Sequence, residues 1–283
     1  MISRRRFLIA AAGAAAGLGG WVYSRRVEPR WLDVSGKNLA LPSGAWSGPP
    51  LRVLHLSDLH FSSAVPLAQI DDAITRGLAL RPDVICVTGD FVTAQDRFDE
   101  AAYTSVLARL AAAAPAFATL GNHDGGVYSG NSIGQVSTTR VGAMVRRAGF
   151  TLLHNRSANL TVRGRRVHLV GLGDWWSQQC LPGLAFQAFT PSPGEPILAL
   201  SHNPDSKEAL LPHPWHVLLS GHTHGGQCGL PFVGAALAPV RDKRYLAGAY
   251  RYANRWLHIT RGVGNLHGLR VFCRPEVSLL ELA

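Results

Sequence analysis

Short apolar runs alternate with amphipathic segments along the chain after residue 50, and this alternation predicts strands separated by helices. Five runs are short, apolar and bounded by Pro, Gly or Asp, as is typical of buried strands. They lie at residues 51–56, 84–87, 116–120, 197–200 and 217–219. We therefore predict five strands that are buried in the interior of a sheet.

Two segments with helical periodicity separate the first three strands. Apolar side chains recur every three or four residues from Leu67 to Leu78, and again from Phe98 to Leu110. Pro82 and Pro115 end these segments, because proline disfavours helix in the residue before it. The order strand, helix, strand, helix, strand predicts an α/β fold with a largely parallel sheet in the N-terminal half.

The C-terminal part of the chain is rich in strand-forming residues and predicts a second sheet. Its candidate strands lie at residues 245–250, 256–260 and 277–280. With 283 residues and 47% hydrophobic content, the chain can build one large core. No linker and no internal repeat divides residues 51–283, which we predict to be one domain.

The first 30 residues carry a different pattern, in which a basic start precedes an apolar stretch. Arg4-Arg5 within Ser-Arg-Arg-Arg-Phe-Leu resembles a twin-arginine export signal, and residues 8–23 are mildly apolar. We predict that residues 1–30 are a signal or membrane anchor and that residues 31–50 connect it to the domain. A convincing cleavage site is missing and the apolar stretch is short for a membrane span, so the cleaved and retained forms both stay open.

The charge of the chain supports a membrane location more than nucleic-acid binding. Residues 1–30 hold six Arg and one Glu, so they contribute half of the formal net charge of +10. The sequence has no Lys/Arg stripe with interleaved aromatic residues, and we predict no specific nucleic acid partner. We expect the protein at the inner membrane or in the periplasm of a bacterium after twin-arginine export, with a cytoplasmic location as the alternative.

Five polar motifs follow directly after the five predicted strands. The first three are evenly spaced, because Asp58 to Asp90 and Asp90 to Asn122 are both 32 residues, about one strand-helix-strand unit. The ends of parallel strands meet at one edge of a sheet, so loops there can gather these side chains around one cleft. The motifs are Asp58-Leu59-His60, Gly89-Asp90, Gly121-Asn122-His123-Asp124, Ser201-His202-Asn203 and Gly221-His222-Thr223-His224.

The residue types in these motifs indicate a site for two divalent cations. Two cations about 3.5–4 Å apart need a bridging carboxylate and can then catalyse displacement at phosphorus. Asp90 is the best candidate for that bridge. Asp58 and His60 lie two residues apart, project to the same side and can chelate one cation, and His222 and His224 repeat this spacing.

The mixed set of imidazole, carboxylate and amide ligands limits the identity of the metal. Such a set favours Mn²⁺, Fe or Zn over Ca²⁺. We expect two divalent metal ions, with Mn²⁺ favoured and Fe, Zn or Mg²⁺ as alternatives. No cysteine lies in the motifs, which argues against a thiolate site. The chain has four cysteines, which are Cys86, Cys180, Cys228 and Cys273. They could form two disulfides or be buried thiols, and for Cys86, which lies inside a predicted strand, a buried thiol is expected.

The motifs D-x-H, G-D, G-N-H-D and G-H-x-H, in this order from about Leu51 to the C-terminus, resemble the calcineurin-like metallophosphoesterase superfamily. Segments 202–208, 221–227, 242–245 and 260–264 are similar to its bacterial YaeI-type phosphodiesterase branch. The resemblance implies an α/β fold with two packed mixed β-sheets flanked by helices, an αββα sandwich. It also implies that residues 51–283 are a metallophosphoesterase catalytic domain.

Carried over by motif position, the resemblance implies two ligand sets and a metal-dependent phosphodiesterase. A hydroxide that bridges the metals would attack phosphorus directly, without a covalent intermediate. His123 would stay unligated and assist the leaving group or the phosphoryl charge. The implied ligands are Asp58, His60, Asp90 and His224 for the first metal, and Asp90, Asn122, His202 and His222 for the second.

Two alternatives remain beside this hypothesis. One is an enzyme like UDP-2,3-diacylglucosamine pyrophosphohydrolase of lipid A synthesis, and the other is a non-catalytic metal-binding scaffold. The expected partner is a phosphodiester that is either a small molecule or a lipid, and the N-terminal segment is expected to contact the inner membrane. We expect the loops at residues 62–65, 125–136 and 175–193 to form the walls of the substrate pocket.

Several further polar and aromatic residues are open to more than one interpretation. Arg261, Arg270 and His267 flank or lie in a Gly-rich stretch that could approach a phosphate, although a turn between strands is the favoured interpretation. Trp175-Trp176 could form an aromatic wall or an ordinary anchor. His55 is expected to be packed in the core. Surface or core roles are also expected for His154, His168, His213, His216 and His258.

Overall fold

In the computed structural model the chain forms two six-stranded mixed sheets with helices on their outer faces. The structure describes residues 3–93, 98–126, 135, 137–187, 189–230 and 233–283. In chain order its elements are α1 (Arg4–Val22), β1 (Asp33–Leu39), β2 (Leu51–Leu56), α2 (Leu67–Ala79), β3 (Val84–Thr88), α3 (Glu100–Ala113), β4 (Ala116–Thr119), α4 (Thr138–Arg147), β5 (Thr151–Leu152), β6 (Arg156–Val162), β7 (Arg165–Gly171), α5 (Pro182–Ala185), β8 (Ile197–Leu200), β9 (Val217–Ser220), α6 (Val233–Leu237), β10 (Gly248–Tyr252), β11 (Arg255–Ile259) and β12 (Glu276–Leu282).

The first sheet has the strand order β1-β12-β2-β3-β4-β5. Strands β2 to β5 run parallel, as the strand-helix alternation predicts, and helices α2 and α3 connect β2 to β3 and β3 to β4. The prediction that residues 277–280 belong to the second sheet is wrong. They lie in β12, which inserts antiparallel beside β2 and parallel beside β1, and a strand pattern alone does not specify which sheet receives the strand.

The second sheet has the strand order β10-β11-β9-β8-β7-β6. Its four central strands run parallel, and hairpins add the antiparallel edge strands β6 and β10. The predicted strand at residues 256–260 corresponds to β11, and the predicted strand at 245–250 overlaps β10. The expected fold class, two packed mixed sheets flanked by helices, is confirmed.

The hydrophobic core is arranged in layers that fix the two sheets relative to each other. Between the sheets, Val53 and Val84 of the first pack in one buried cluster with Leu169 and Leu198 of the second. A second cluster joins the other face of the first sheet to α2, α3 and α4. A third lies on the outer face of the second sheet and includes Trp215. The ends of the strands from both sheets therefore meet at a fixed distance.

The N-terminal helix differs from all the others because none of its residues is buried. A π-helical turn, Tyr23–Val27, and a 3-10 turn, Glu28–Arg30, continue it into the domain. There Glu28 is fully buried and accepts a hydrogen bond from the backbone N–H of Cys273. The segment Arg4–Arg30 is long and apolar enough to cross a membrane, which no other helix in the described part of the chain is.

The segment at residues 31–50 contains a strand of the first sheet. Strand β1 pairs in parallel with β12 along its whole length. Glu276 ties these strands to the loop after β11, because its carboxylate accepts hydrogen bonds from Ser35 Oγ at 2.5 Å and from the backbone N–H of Arg261 at 2.9 Å. The division of the chain into a leader, a connecting segment and a catalytic domain stays a prediction.

We expect Glu276→Gln to lower the free energy of unfolding by about 2 kcal/mol at pH 7, because the Arg261 guanidinium loses a charged acceptor. Arg261 lowers the pKa of Glu276 although burial opposes this shift. The stabilisation is therefore present above the unfolded pKa of about 4.5 and is lost as the pH falls through the lower folded pKa. Urea unfolding at pH 7 and at pH 3.5 measures both effects.

The half-exposed Glu281 on the same strand provides the matched control for this substitution. Glu281→Gln removes only a partly exposed ion pair with Arg52, so its effect should stay below about 1 kcal/mol. Equal losses for the two variants, or a loss for Glu276→Gln that does not shrink in acid, would contradict the role assigned to Glu276.

Candidate metal centre

The structure brings all eight residues of the predicted site together at the ends of strands from both sheets. Each residue lies in a loop directly after a parallel strand, so its position is fixed by a buried element. All eight side chains are buried. They are Asp58 and His60 after β2, Asp90 after β3, Asn122 and His123 after β4, His202 after β8, and His222 and His224 after β9.

Asp58, His60 and His224 form the first group of candidate ligands. Their ligand atoms all lie within 4.8 Å of one another. His224 Nε2 lies 3.3 Å from Asp58 Oδ1 and 3.1 Å from His60 Nε2. Two imidazole nitrogens and a carboxylate oxygen thus converge on one point, which is the arrangement that a divalent cation needs.

Asp90, His202 and His222 form the second group. Asp90 Oδ2 lies 3.1 Å from His202 Nε2, and His202 Nε2 lies 3.2 Å from His222 Nδ1. Asp90 Oδ2 is also only 3.5 Å from His60 Nε2 of the first group. The carboxylate of Asp90 therefore lies between the two groups. His222 and His224, which share one motif, face different groups.

Five of the candidate ligands have a backbone conformation that L-residues rarely adopt. Their φ angles are 53° for Asp58, 48° for His60, 54° for Asp90, 68° for His222 and 49° for His224. Left-handed backbone at non-glycine residues costs free energy and persists where the surrounding structure enforces it. The chain turns sharply after each strand, and these turns aim the side chains into the space between the sheets.

Hydrogen bonds behind the imidazole rings determine which nitrogen faces the cluster. His202 Nδ1 donates to the carbonyl of Thr88 at 2.7 Å, and His222 Nε2 donates to the carbonyl of Pro239 at 3.0 Å, because a carbonyl can only accept. The opposite nitrogens, His202 Nε2 and His222 Nδ1, therefore face the second group, and in the neutral rings they carry the lone pairs that can bind a metal. Such outer contacts orient metal-binding histidines.

His60 is oriented through a hydroxyl group. Thr93 Oγ1 donates to the carbonyl of His60 at 3.2 Å and therefore accepts from His60 Nδ1 at 3.0 Å. The Nε2 lone pair of His60 faces the first group as a result. Thr93 is an orienting residue that the motif pattern does not reveal, because it lies three positions after Asp90 in a loop of unremarkable composition.

The electrostatics of the cluster keep most of its imidazoles neutral. Burial lowers the pKa of His60 to about 3 and holds the pKa values of His222 and His224 well below their ordinary range. Burial also opposes the charges of His202 and Asp90, but their attraction outweighs it. This attraction raises the pKa of His202 and lowers the pKa of Asp90. Neutral rings with inward lone pairs are the form that binds metals.

Two buried polar atoms without hydrogen-bond partners in the described part of the chain also indicate that the site suits divalent cations. Asn122 Oδ1 is buried and has no hydrogen-bond partner among the described residues, and the same holds for His224 Nδ1. A buried amide oxygen without a partner is costly unless a ligand satisfies it. The residues present can therefore hold divalent metal ions, and no rearrangement of the strands is required.

A cavity of about 390 Å³ opens onto this cluster. Its floor is polar and consists of Asp90, Asn122, His123, His222 and His224. Its walls are apolar for the most part. The apolar side chains in the walls belong to Trp176, Leu237, Pro239, Leu266, Leu269 and Val271.

Comparison with known proteins accounts for this arrangement. Residues 51–226 match the family model described as calcineurin-like phosphoesterase. Phosphodiesterase YaeI of Escherichia coli (strain K12) is 43% identical over 282 residues, which cover 100% of both chains. The chain belongs to the calcineurin-like phosphoesterase family. The resemblance predicted from the motifs is thereby confirmed, including its bacterial branch.

Two other relatives of this phosphoesterase cover nearly the whole chain. UDP-2,3-diacylglucosamine pyrophosphatase LpxG of Chlamydia trachomatis is 29% identical and aligns over 92% of each chain. Metallophosphoesterase YkuE of Bacillus subtilis (strain 168) is 29% identical over 99% of this chain and 98% of its own. The protein is thus a hydrolase of phosphoric esters, and the scaffold alternative has no support from these comparisons.

Asp124 of the phosphoesterase shapes the site although sequence reasoning gave it no role. Its carboxylate accepts hydrogen bonds from the backbone N–H groups of Phe91 at 2.8 Å, Gly121 at 2.9 Å and Val92 at 3.3 Å. Burial and the neighbouring carboxylate of Asp90 raise the pKa of Asp124 to about 8. Asp124 therefore joins the loops after β3 and β4, and its place next to His123 was the only sequence signal for this role.

The structure gives different roles to Trp176 and to the two arginines, Arg261 and Arg270, whose interpretation the sequence left open. Trp176 lines the cavity, and its ring meets His222 edge-on with the ring centroids 4.5 Å apart. Arg261 forms ion pairs with Asp33 and Glu276. Arg270 is fully buried and donates to backbone carbonyls, one of them that of Gly264 at 2.6 Å. Both guanidinium groups thus stabilise the segment between β11 and β12 and do not bind a phosphate.

The remaining histidines lie outside both ligand groups. His55 is packed in the interior, where its ring nitrogens contact His258 and Thr88. His267 lines the cavity near its exposed edge. Of the loops expected to form the pocket walls, 175–193 contributes Trp176, whereas residues 127–134 and 136 of the loop at 125–136 lie outside the described residues. The four cysteines are free thiols.

The motif glycines of this phosphoesterase are explained by close approach to the ligands. A Cβ atom at Gly121 would lie 2.2 Å from Asp90 Oδ1, and one at Gly221 would lie 2.2 Å from Asp58 Oδ2. Neither distance is compatible with a methyl group. The glycines therefore leave the space in which the two carboxylates stand.

We expect Gly121→Ala to reduce the metal content of the purified protein by at least half, because the new methyl group displaces the Asp90 carboxylate. Elemental analysis after dialysis measures the bound metal. Gly36→Ala on β1 is the matched control, since a Cβ there meets no atom within 4 Å. Full metal content in Gly121→Ala would show that the close approach does not matter for binding.

Proposed function

We propose that this protein is a phosphodiesterase that uses two divalent cations, one at each group of candidate ligands. The position of Asp90 carries the proposal, because its carboxylate is within 3.5 Å of imidazole nitrogens from both groups. A carboxylate in such a position can bridge two cations about 3.5–4 Å apart. The two-cation arrangement is in turn typical of phosphoester hydrolysis.

The proposed ligands follow the two groups and add Asn122. The first cation takes Asp58, His60, Asp90 and His224, and the second takes Asp90, Asn122, His202 and His222. Mixed oxygen and imidazole ligands without sulfur suit Mn²⁺, with Fe, Zn or Mg²⁺ as alternatives. When bound, the two cations supply a nucleophile from water at neutral pH and neutralise the oxygens of the phosphoryl group.

His123 is the proposed acid-base residue of the chain. Its ring lies in the cavity floor, and its Nδ1 donates to the carbonyl of Thr93 at 3.1 Å. The proton that can be transferred is therefore at Nε2. The backbone N–H of His123 donates to Asp90 Oδ1 at 2.9 Å, so the loop that carries the ring is held against the proposed bridging carboxylate. These contacts support a role for the His123 imidazole in proton transfer to the leaving group.

We expect His123→Ala to lower kcat by about 10²-fold or more while the metal content stays unchanged, because proton transfer to the leaving group is lost. Steady-state kinetics and elemental analysis together test this role. His154→Ala is the matched control, since His154 lies outside the cavity floor and both ligand groups. Loss of a metal ion from His123→Ala would show that His123 is a ligand instead.

A membrane location is proposed for the protein. Support comes from the exposed apolar helix and from its continuation, without an intervening loop, into the buried residues Ser24, Glu28 and Pro29. These contacts favour the retained anchor over a cleaved leader. Export through the twin-arginine route to the outer face of the inner membrane is the proposed path.

A lipid pyrophosphatase activity is the second candidate function. The apolar walls above a polar floor favour a substrate that has an acyl chain next to its phosphate. LpxG, which is named as a UDP-2,3-diacylglucosamine pyrophosphatase, is similar over most of the chain. The two candidates share the metal centre and differ only in the phosphorus linkage that is cleaved.

The central experiment is hydrolysis of bis-p-nitrophenyl phosphate by the full chain in detergent with added Mn²⁺. We expect diester cleavage that depends on the metal and exceeds cleavage of p-nitrophenyl phosphate. Asp90→Asn should reduce the rate by at least about 10³-fold, because the bridging charge is lost. Cleavage of UDP-2,3-diacylglucosamine without any diester cleavage would favour the second candidate, and near-normal activity of metal-saturated Asp90→Asn would contradict the bridging role.

A further inference from the structure

Exposed apolar side chains are concentrated in two parts of the surface. Of the sixteen large apolar residues that are exposed in the described part of the chain, eight lie on α1 or within nine residues after it, and four surround one edge of the cavity. We call these four the rim. They are Leu230, Val233, Leu237 and Phe272.

The rim exposes a large part of its apolar surface. Phe272 is 70% exposed and Leu237 is 65% exposed, although Leu237 also lines the cavity. Soluble proteins rarely expose apolar residues in contiguous groups, and such groups mark contact surfaces. The position of the rim relative to α1 indicates what covers it.

The base of the N-terminal helix packs directly on residues 266–273. Arg25 Nη1 donates to the carbonyl of His267 at 3.1 Å, and the backbone N–H of Arg270 donates to the carbonyl of Ser24 at 3.0 Å. Glu28 accepts the hydrogen bond from Cys273 in the same segment. The helix therefore leaves the domain at this segment.

The same segment forms one wall of the cavity and reaches the rim. Leu266, Leu269 and Val271 line the cavity. Val271 exchanges backbone hydrogen bonds with the loop before α6, since its carbonyl accepts from Gly229 at 2.6 Å and its N–H donates to Gln227 at 3.0 Å. The helix base, the cavity wall and the rim are thus one continuous surface.

The residues at the helix base match the headgroup region of a bilayer. Trp21 and Trp31 are exposed, and Arg25, Arg26 and Arg30 lie exposed between them. Tryptophan concentrates at membrane interfaces, and arginine next to a membrane helix binds anionic headgroups. With α1 in the membrane, these residues are expected at the height of the lipid headgroups, next to the surface that carries the cavity.

We infer that the bilayer that holds α1 also covers the rim, so that the cavity opens at the membrane surface. An amphiphilic phosphodiester then reaches the metal centre from the lipid, with its chain along the apolar wall and its phosphate at the floor. The choice of substrate class rests on the proposed phosphodiesterase function, whereas the contact between rim and bilayer rests on the proposed membrane location alone.

Site-specific quenching tests the contact with the bilayer. The full chain is reconstituted in vesicles of phosphatidylcholine and phosphatidylglycerol, with bimane attached to Leu237→Cys or Phe272→Cys. Thr161→Cys is the control, because Thr161 is exposed near the end of β6 that lies opposite the metal centre. The unmodified chain corrects for labelling of the native cysteines.

We expect brominated lipids to quench both rim positions by at least about half and to leave the Thr161 position nearly unchanged. Absence of quenching at the rim, or equal quenching at all three positions, would overturn the inference. Rim emission that depends on protein concentration and not on bromine would show that a second copy of the chain covers this surface, which would also overturn it.

Competition tests the entry of the substrate from the lipid. Dihexadecyl phosphate in the vesicles should inhibit hydrolysis of bis-p-nitrophenyl phosphate by about tenfold, whereas the same mole fraction of palmitate, which has the charge and the chain without phosphorus, should not. Phe272→Asn, which lies outside the cavity lining and suits a left-handed backbone, should weaken this inhibition and keep the basal rate.

The two experiments separate this inference from the proposed function. Quenching at the rim without any diester hydrolysis would refute the phosphodiesterase and retain the contact with the bilayer. Diester hydrolysis that dihexadecyl phosphate inhibits no better than palmitate would retain the phosphodiesterase and refute entry from the lipid.

Discussion

The interaction on which the site depends is the contact of one buried carboxylate, that of Asp90, with imidazoles from both sheets. Asp90 follows β3 of the first sheet and meets His202, which follows β8 of the second. Neither charge is stable alone in the interior, so the two groups hold each other in place. The layered core between the sheets then fixes how far apart the remaining ligands stand.

The backbone around the site is built to bring this carboxylate and its neighbours close together. Left-handed turns at Asp58 and Asp90, together with glycines that leave room for the carboxylates, direct polar groups into a narrow space. The resulting strain is balanced by the hydrogen bonds that the Asp124 carboxylate accepts from backbone N–H groups, and by the buried strands on either side. The loops therefore determine the geometry of the site, and the sheets that carry them make it rigid.

The sequence was sufficient for the parts of the structure that rest on local patterns. The parallel strands β2, β3 and β4 and the helices between them follow from hydrophobic periodicity, and the site follows from polar residues after strand ends. The sheet that receives β12 could not be predicted, because partner choice depends on contacts distant in sequence. The wall at residues 266–271 escaped prediction for the same reason, since its pattern is that of an ordinary turn.

The order of the strands has a consequence for the time at which the site is completed during synthesis. His60 and His224, which face each other, are 164 residues apart, and Ser35 and Glu276, which join β1 to β12, are 241 apart. Contacts of such long range form late in folding. A ribosome that releases this chain must finish its last strand before the first sheet can close. The first group of candidate ligands, which needs both His60 and His224, therefore cannot assemble until most of the chain has been synthesised.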